Sequence, residues 1–492
     1  MATLTIRRGA QTFETSFSGA QRLSVLLEQA GQMLASPCGG RGVCGKCAVL
    51  LEGAVAPANA AERRCGVRLA CQAVIEGDAM VILPDVLPMQ QIETGGGIRL
   101  PSVQPMPGCV GAAVDVGTTT LALRLYDLRS GESLAAASLL NPQTTVAADV
   151  IGRIDAAMNG RLKDLTASIA AAIGTLLSTA CAQAACSPDA VESLVITGNT
   201  TMLYLLAGRE PTCLSRAPFE ADCLFGEEYI LLGRRAYLPD CLHAFVGADT
   251  TCALLACGFL DREDTALLVD VGTNGEIALW HDGRLYIAST AAGPAFEGAG
   301  ISCGCGSVPG AIDRVWTEAG AVCVHTISGA RAVGLCGSGL VDAAAVLLEM
   351  EIIDETGTMD YDCELAPGVT LTQRDVRALQ LAKAAIAAGT DSLLHAAGCS
   401  ISDVTTVCLA GGFGSHLDVR NAARIGLIAP EFTDRVRVIG NAALDGAAML
   451  LLDGSLRARS AAIRRQAQHV RLDGNAYFSR RYVEAILFGD EE

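Results

Sequence analysis

The tetrapeptide DVGT occurs twice in the chain, at residues 115–118 and 270–273. In both places an apolar run precedes the motif and a second apolar run follows it, which predicts a strand, a tight glycine turn and another strand. The two copies start 155 residues apart, a spacing of the size of one domain. An internal duplication is therefore predicted, with one strand-turn-strand unit in each half.

The composition of the two turns suits phosphate binding. Backbone N–H groups and threonine hydroxyls in a glycine turn can donate hydrogen bonds to phosphate oxygens, and an aspartate at the strand end can hold Mg²⁺ through water. Two such hairpins that face each other can enclose a triphosphate from both sides. The alternative is a pair of ordinary β-hairpins that turn at glycine.

Two more glycine turns follow later in the chain. The segment VCLAGGFGSHLD at 407–418 predicts a strand, a turn and a helix, and VIGNAALDGAAMLLL, from residue 438, repeats this plan. Glycine allows the backbone to approach a flat ring or a ribose closely. In this order the four turns resemble those of the ATPase fold shared by actin, the Hsp70 chaperones and the sugar and acetate kinases.

This resemblance implies a nucleotide site with assigned residues. The segments that begin at Ile196 and Gly440 resemble the connections between the two lobes of that fold. The matched residues are Asp115, Gly117, Thr118 and Thr119 in the first phosphate loop, Asp270, Gly272, Thr273, Asn274 and Gly275 in the second, and Gly411, Gly412 and Gly414 in the adenosine motif.

Hydrolysis of ATP requires a carboxylate near the γ-phosphate to orient water. Asp270 is the first candidate for this role, Asp249 the second and Glu276 the third. Asp249 could instead serve only to cap a helix, because aspartate is a preferred residue at helix N-termini.

A different chemistry is indicated near the start of the chain by PCGGRGVCGKC, residues 37–47. Cys38, Cys44 and Cys47 can converge on an iron–sulfur cluster if the loop wraps it closely, which the interspersed glycines permit. Cys65 and Cys71 are both candidates for the fourth ligand, and we favour Cys71. Zinc is the alternative metal, but the loop has one C-x2-C pair where a zinc site would favour two.

The residues around this loop predict a compact β-rich module, with a hairpin over residues 3–17 and a short helix that ends near Gly31. CGGRGVCGKC followed by RLACQ resembles the 2Fe-2S ferredoxins of the β-grasp fold. In that family the fourth ligand lies in a segment like LACQ, which implies Cys71. Five residues separate Cys38 from Cys44, whereas the plant-type pattern has four.

Charge and composition indicate which partners and which cellular compartment to expect. The net charge of −17 argues against a nucleic-acid partner, since phosphate backbones attract clustered positive charge. The 20 cysteines, without an apolar leader after the first basic residues, indicate a reducing, cytoplasmic compartment. The apolar segment at 165–188 is long enough to span a bilayer, but its Thr, Ser and Gln residues favour a buried helix and no membrane association.

These features predict an α+β and α/β multidomain protein, in which a β-grasp 2Fe-2S module precedes a bilobed, actin-like ATPase with the duplicated ribonuclease H-like fold. We expect the module at residues 1–84, a flexible linker at 85–110 and ATPase lobe I at 111–245. Lobe II with a C-terminal extension is expected at 246–492.

The combination resembles one family over nearly the whole chain, the reductive activators of corrinoid proteins. The segments STAAGPAFEGAGISCG at 289, GLCGSGLVDA at 334 and the C-terminal FSRRYVEAILFG share in this resemblance. It implies an enzyme that uses ATP, Mg²⁺ and a 2Fe-2S cluster to return Co(II) to Co(I) on a cobalamin-carrying methyltransferase component.

The resemblance also implies an electron donor such as a ferredoxin or a flavoprotein, and it leaves a homodimer open. A plant-type cluster has a potential of about −400 mV. Co(I) is a stronger reductant than such a cluster readily generates, so ATP is expected to assist the transfer. The alternative function is a redox-sensing small-molecule kinase of the acetate or sugar kinase type.

Overall fold

The structure, a computed structural model, describes residues 2–9, 11–32, 34, 42, 47–83, 110–147, 149–411 and 417–489. Cys38, Cys44, Gly412 and Gly414 lie outside these residues, and so does the predicted linker except for Val110. The described residues form three six-stranded sheets and two smaller ones.

The N-terminal sheet confirms the predicted β-grasp module. Strand β1 pairs antiparallel with β2 and parallel with β6, and β6 pairs antiparallel with β4. Leu4 and Ile6 are two residues apart on β1, so both face the same side and pack with Leu23 and Leu26 of the first helix. The elements are β1 (Ala2–Arg8), β2 (Gln11–Phe17), β3 (Gln21–Arg22), α1 (Leu23–Gln29), β4 (Ala48–Val55), α2 (Ala60–Cys65), β5 (Arg68–Leu69) and β6 (Val74–Leu83).

The second sheet forms lobe I with the helices that cover it, among them the helix Ala248–Ala256, which packs against a strand of this sheet although the sequence placed the start of lobe II at residue 246. Its strand order is β11-β12-β10-β7-β8-β9, in which β7, β8 and β9 are an antiparallel meander and β10 lies parallel to β7. The elements are β7 (Val110–Val116), β8 (Thr120–Asp127), β9 (Ser133–Leu140), α3 (Val150–Ala156), α4 (Leu162–Gln183), β10 (Val191–Gly198), α5 (Thr200–Leu206), α6 (Thr212–Ser215), β11 (Glu227–Leu231), β12 (Arg234–Leu238) and α7 (Ala248–Ala256).

The third sheet organises lobe II and repeats this plan. Its order is β22-β21-β13-β14-β15-β23, with a meander of β13, β14 and β15 and with β21 parallel to β13. The elements are β13 (Thr265–Val271), β14 (Gly275–His281), β15 (Arg284–Thr290), β16 (Ala311–Glu318), β17 (Ala321–Thr326), β18 (Gly334–Leu335), α8 (Gly337–Glu349), β19 (Cys363–Ala366), β20 (Val369–Leu371), α9 (Gln373–Ala397), β21 (Val404–Gly411), α10 (Val419–Arg424), β22 (Val436–Gly440), α11 (Ala442–Leu452), α12 (Arg457–Gln466), β23 (Ala467–His469) and α13 (Ala476–Glu484).

The duplication extends to the contact between each DVGT strand and its parallel neighbour. Strands β10 and β21 end at Gly198 and Gly411, both with positive φ. A Cβ atom on Gly198 would lie 2.6 Å from the carbonyl oxygen of Val116, and one on Gly411 would lie 2.1 Å from that of Val271. Only glycine allows this approach, so the same backbone contact supports both DVGT turns.

Helix α4 contains most of the apolar segment at 165–188. Residues Val150–Gln183 make up a helical stretch that is long and apolar enough, by length and composition alone, to cross a membrane. The side chains of Leu165, Ile169 and Ile173 are buried in the lobe I core, where α4 packs against β8 and β9. The predicted buried helix is therefore present.

A separate apolar core joins the two lobes around helices α7 and α11. It combines residues of β7 and β10 from lobe I with residues of β13 and β21 from lobe II. Helix α11 packs against α7 and against the lobe I strands β7 and β10. A buried ion pair adds to this contact, because Arg124 of β8 donates to Asp445 of α11 at 2.8 Å. The lobes therefore meet through the packing of α7 and α11.

We expect Gly446→Ala to destabilise this junction. A Cβ atom at Gly446 would lie 2.0 Å from the carbonyl oxygen of Cys252 on α7, and a backbone atom cannot rotate away. Overpacking of this kind costs about 1–3 kcal/mol, which urea unfolding followed by circular dichroism would measure. Gly454→Ala is the control, because nothing lies within 4 Å of a Cβ atom there. Equal stability of the two variants would contradict the prediction.

Candidate functional site

A cavity of about 530 Å³ lies between the two lobes, where both DVGT turns meet. Gly275 begins β14 beside it, and a Cβ atom there would lie 2.1 Å from Cδ1 of Ile386 and 2.7 Å from Oγ1 of Thr290, so a larger residue would displace these side chains. Of the residues predicted from the sequence, the cavity is lined by Asp115, Gly117, Thr118, Thr119, Asp249, Asp270, Gly272, Thr273, Asn274, Glu276 and Gly411.

The first DVGT turn is fixed by hydrogen bonds to its backbone. The N–H of Gly117 donates across the turn to the carbonyl of Thr120 at 2.9 Å, and the side-chain amide of Asn141 donates to the carbonyl of Gly117 at 2.8 Å. The buried guanidinium of Arg153 also donates a hydrogen bond to this turn, at the carbonyl of Thr118. Burial lowers the pKa of Arg153 to about 10. The group stays protonated at neutral pH and places a positive charge behind the turn.

Two asparagines connect the first turn to helices of the interlobe segments. Asn199 Nδ2 donates to Thr118 Oγ1 at 3.0 Å, while its side-chain oxygen caps α5. Asn441 Nδ2 donates to Asp115 Oδ2 at 3.0 Å, while its side-chain oxygen caps α11. Both helices therefore begin at the cavity and hold side chains of the first turn in place.

Glu297 joins the two DVGT turns directly. One of its carboxylate oxygens, Oε2, accepts hydrogen bonds from Thr119 Oγ1 at 2.6 Å and from Thr273 Oγ1 at 2.8 Å. Glu297 was not among the residues predicted from the sequence, since 178 positions separate it from Thr119. The segment GPAFEGAG could have indicated this residue, because it places a glutamate among glycines 24 residues after Thr273.

Four more carboxyl groups line the cavity, and burial raises the pKa of each of them. Burial, reinforced by the charge of Asp249, raises the pKa of Asp115 to about 7. Burial and the neighbouring charges of Asp249 and Asp115 raise the pKa of Asp270 to about 7. Burial also raises the pKa of Asp249 to about 6 and that of Glu276 well above its ordinary value. The acidic cluster thus favours binding of a cation or a proton.

Asp249 lies close to the start of α7, although the N-cap residue of that helix is Gly247. It lies in the first turn of α7, and its Oδ1 accepts a hydrogen bond from the backbone N–H of Thr250 at 2.8 Å. The same side chain lines the cavity beside Asp270. Its contribution to the helix end therefore does not remove it from the site.

We expect Asp270→Asn to stabilise the protein increasingly as the pH rises from 5 to 8. The folded-state pKa of Asp270 is about 7, against an ordinary value of 3.8. Between these values the folded protein binds a proton that the unfolded chain has released, so the free energy of unfolding falls as the pH rises. Asparagine removes this effect. Thermal unfolding of both proteins across this pH range would show it, and parallel pH profiles would contradict it.

The described residues that line the cavity include no lysine or arginine. No group of three or more His, Cys, Asp and Glu side chains in the described part of the chain is placed to hold a metal ion by itself. Mg²⁺ ordinarily takes one or two carboxylates together with water and substrate phosphates. The acidic cavity fits that pattern, in which the nucleotide supplies part of the metal's coordination.

In the N-terminal module, Cys47 and Cys71 belong to chain segments that are hydrogen-bonded to each other. Ala48 pairs with Leu69 between β4 and β5, and the N–H of Ala70 donates to the carbonyl of Cys47 at 2.9 Å. Both cysteines are almost fully buried in the module's core. Two thiolates from adjacent chain segments fit the ligand requirement of a small iron–sulfur cluster. Cys65, the other candidate, is the last residue of α2.

Three family models match the chain. The 2Fe-2S iron-sulfur cluster binding domain matches residues 7–76, the RACo middle region matches residues 110–262, and the C-terminal ASKHA domain of RACo matches residues 264–492. The solved structure of a reductive activator for corrinoid, iron-sulfur protein superposes with a TM-score of 0.74 at 25% sequence identity. The superposition covers 99% of this chain and 98% of the other.

Two characterised relatives show similarity over most of the chain. The [Co(II) methylated amine-specific corrinoid protein] reductase of Methanosarcina barkeri is 28% identical over 386 residues, which are 70% of each protein. The corrinoid activation enzyme RamQ of Eubacterium limosum is 35% identical over 431 residues, which are 80% of this chain and 72% of RamQ. The chain therefore belongs to the family of corrinoid activation enzymes, with a 2Fe-2S domain followed by the RACo middle and ASKHA regions.

Proposed function

We propose that this protein uses ATP to reduce a corrinoid protein from Co(II) to Co(I), so that a methyltransferase system can resume turnover. The observation that carries the proposal is one chain with both a β-grasp module, in which Cys47 and Cys71 belong to paired chain segments, and an interlobe cavity formed by two DVGT turns. The names of the relatives support the choice of a corrinoid protein as the partner.

The electron balance requires a donor. A 2Fe-2S cluster held by Cys38, Cys44, Cys47 and Cys71 would supply one electron at a time. That electron reduces one Co(II) to Co(I), and a low-potential ferredoxin or flavoprotein must return one electron to the module. The buried positions of Cys47 and Cys71 shield such a cluster from solvent on the side of the module's core.

The nucleotide site is proposed to bind ATP together with Mg²⁺. Threonine hydroxyls and backbone N–H groups of the two turns would hold the phosphates. Asp115 and Asp270 would hold the metal through water, and its charge would offset the burial and the neighbouring negative charges that raise their pKa values. Asp270 is the proposed water-orienting residue. Asp249 and Glu276 are less favoured.

ATP would assist an unfavourable electron transfer through lobe closure. If the closed form binds the corrinoid protein more tightly in a reducible state, the differential affinity shifts that protein's population toward this state. The two helices α7 and α11, which pack together in the core between the lobes, provide the element about which closure would occur.

Anaerobic reconstitution tests the proposal. Visible and EPR spectra should show a 2Fe-2S cluster, and reduction of a Co(II) corrinoid protein to Co(I), followed by absorbance, should require both ATP and an electron donor. An equal yield of Co(I) without ATP would remove the ATP dependence. Phosphoryl transfer to acetate or a sugar, without stimulation of ATP hydrolysis by corrinoid protein, would support the kinase alternative instead.

A further inference from the structure

We infer that Glu297 is the γ-phosphate sensor of the nucleotide site. Its carboxylate links the two DVGT turns by accepting hydrogen bonds from Thr119 and Thr273, and we call this link the clasp. The γ-phosphate of ATP must replace the carboxylate at this position. The inference rests on the proposed ATP-binding function and concerns a residue outside the two repeated motifs. Its basis is the pair of hydrogen bonds from Thr119 and Thr273 to a single carboxylate oxygen.

A threonine hydroxyl carries one proton and can donate one hydrogen bond. Thr119 and Thr273 both donate to Glu297 Oε2, at 2.6 and 2.8 Å. Neither hydroxyl can donate to a phosphate oxygen while these bonds exist. The carboxylate oxygen thus occupies the acceptor position, between the two loops, that a phosphate oxygen would take when both turns bind it.

Electrostatic repulsion opposes the presence of the Glu297 carboxylate and a phosphate at the same point. Glu297 lines the same cavity as Asp115, Asp249 and Asp270, so its carboxylate adds to a set of neighbouring acids. A phosphate placed beside it would be repelled as well. Entry of the γ-phosphate at this point therefore requires the Glu297 side chain to turn away, whereas a nucleotide without that phosphate does not compete for the two hydroxyls.

The backbone around Glu297 is built to transmit such a movement. The residue ends a short 3-10 turn, Pro294–Glu297, flanked by Gly293 and Gly298, both with positive φ. The N–H of Gly293 donates to the carbonyl of Thr273 at 2.9 Å, which ties the turn to the second DVGT loop. A Cβ atom on Gly298 would lie 2.2 Å from the carbonyl oxygen of Cys305, so the other end of the turn packs on backbone.

Backbone hydrogen bonds link Cys305 in turn to the three-stranded sheet of β16, β17 and β18. The N–H of Cys305 donates to the carbonyl of Leu335 at 2.8 Å, and Leu335 pairs with Ile312 of β16. Trp316 of β16 is 41% exposed, whereas the second tryptophan of the chain, Trp280, is only 6% exposed. When ATP displaces the Glu297 carboxylate, we therefore expect the environment of Trp316 to change, and its fluorescence with it.

Calorimetric titration of the full-length protein with Mg-ATP and Mg-ADP tests the inference. Because ATP must break two charge-assisted hydrogen bonds in the wild type, Glu297→Gln and Glu297→Ala should bind ATP about tenfold more tightly, a difference of about 1.4 kcal/mol. ADP affinity should stay within about twofold. Glu318→Gln, an exposed carboxylate at the end of β16, is the matched control and should bind both nucleotides like the wild type.

Unchanged or weaker ATP binding by both Glu297 variants, with melting temperatures near that of the wild type, would overturn the inference. Equal tightening for ATP and ADP would also overturn it, since it would show no sensing of the γ-phosphate. If the wild type itself bound no ATP, the proposed function would fail, which separates the two results. In the wild type, ATP should change the Trp316 fluorescence, and the same change at full amplitude in Glu297→Ala would contradict transmission through the clasp.

Discussion

A Cys71→Ser variant is expected to lose the visible absorption and EPR signal of a 2Fe-2S cluster, and with them Co(I) formation down to the background rate. Serine keeps the size of the side chain but replaces the thiolate that iron requires. Cys71 is 3% exposed and belongs to the same apolar core as Cys47, so no solvent ligand can easily substitute. Anaerobic reconstitution, with iron and sulfide determined per chain, would measure the loss.

Cys65→Ser is the matched control, because Cys65 was the competing candidate from the sequence and ends helix α2. It should retain the cluster and the rate of corrinoid reduction. ATP binding should be unaffected in both variants, since the cavity lies between the lobes and contains neither cysteine. A cluster lost in Cys65→Ser and kept in Cys71→Ser would reverse the assignment of the fourth ligand.

The parts of the fold that follow from local sequence were predictable. Each DVGT turn joins two strands that are neighbours in the chain, so its hairpin is visible in a window of about 20 residues. The contact of Gly411 with the carbonyl of Val271 was not predictable from such a window, although glycine at the end of the strand indicated a close approach. Duplication of the motif was sufficient to predict two similar lobes because each copy carries its own hairpin.

The parts that depend on contacts between distant segments were missed. Helix α11 was predicted after its glycine turn, but nothing in its own sequence indicates that it packs on lobe I, where Asp445 pairs with Arg124. Arg153 is charged and would be expected at the surface, yet its guanidinium is buried beneath the first turn and donates to the carbonyl of Thr118. Glu297 belongs to the same class, since its partners come from both halves of the duplication.

Asp270→Asn is expected to lower kcat for ATP hydrolysis about 10²–10⁴-fold, the range for loss of a positioned acid–base group. Asparagine keeps the shape of the side chain but cannot accept a proton from water. Since the pKa of Asp270 is about 7 in the nucleotide-free protein, the wild-type kcat/KM should fall as the pH decreases below that value and the carboxylate becomes protonated. Phosphate release, measured from pH 5.5 to 8.5 at saturating Mg-ATP for kcat and at low Mg-ATP for kcat/KM, would test both statements.

Glu276→Gln is the sharpest control for this assignment. Burial and the charges of Asp249 and Asp270 raise the pKa of Glu276 well above its ordinary value, so its neutral form is favoured and glutamine closely imitates it. Hydrolysis should therefore remain near the wild-type rate, although the residue lines the same cavity on the strand next to Asp270. Strong inhibition by Glu276→Gln together with an active Asp270→Asn would transfer the water-orienting role to Glu276. Glutamine imitates the neutral acid but not the ionised carboxylate, so inhibition would mean that Glu276 acts in its ionised form.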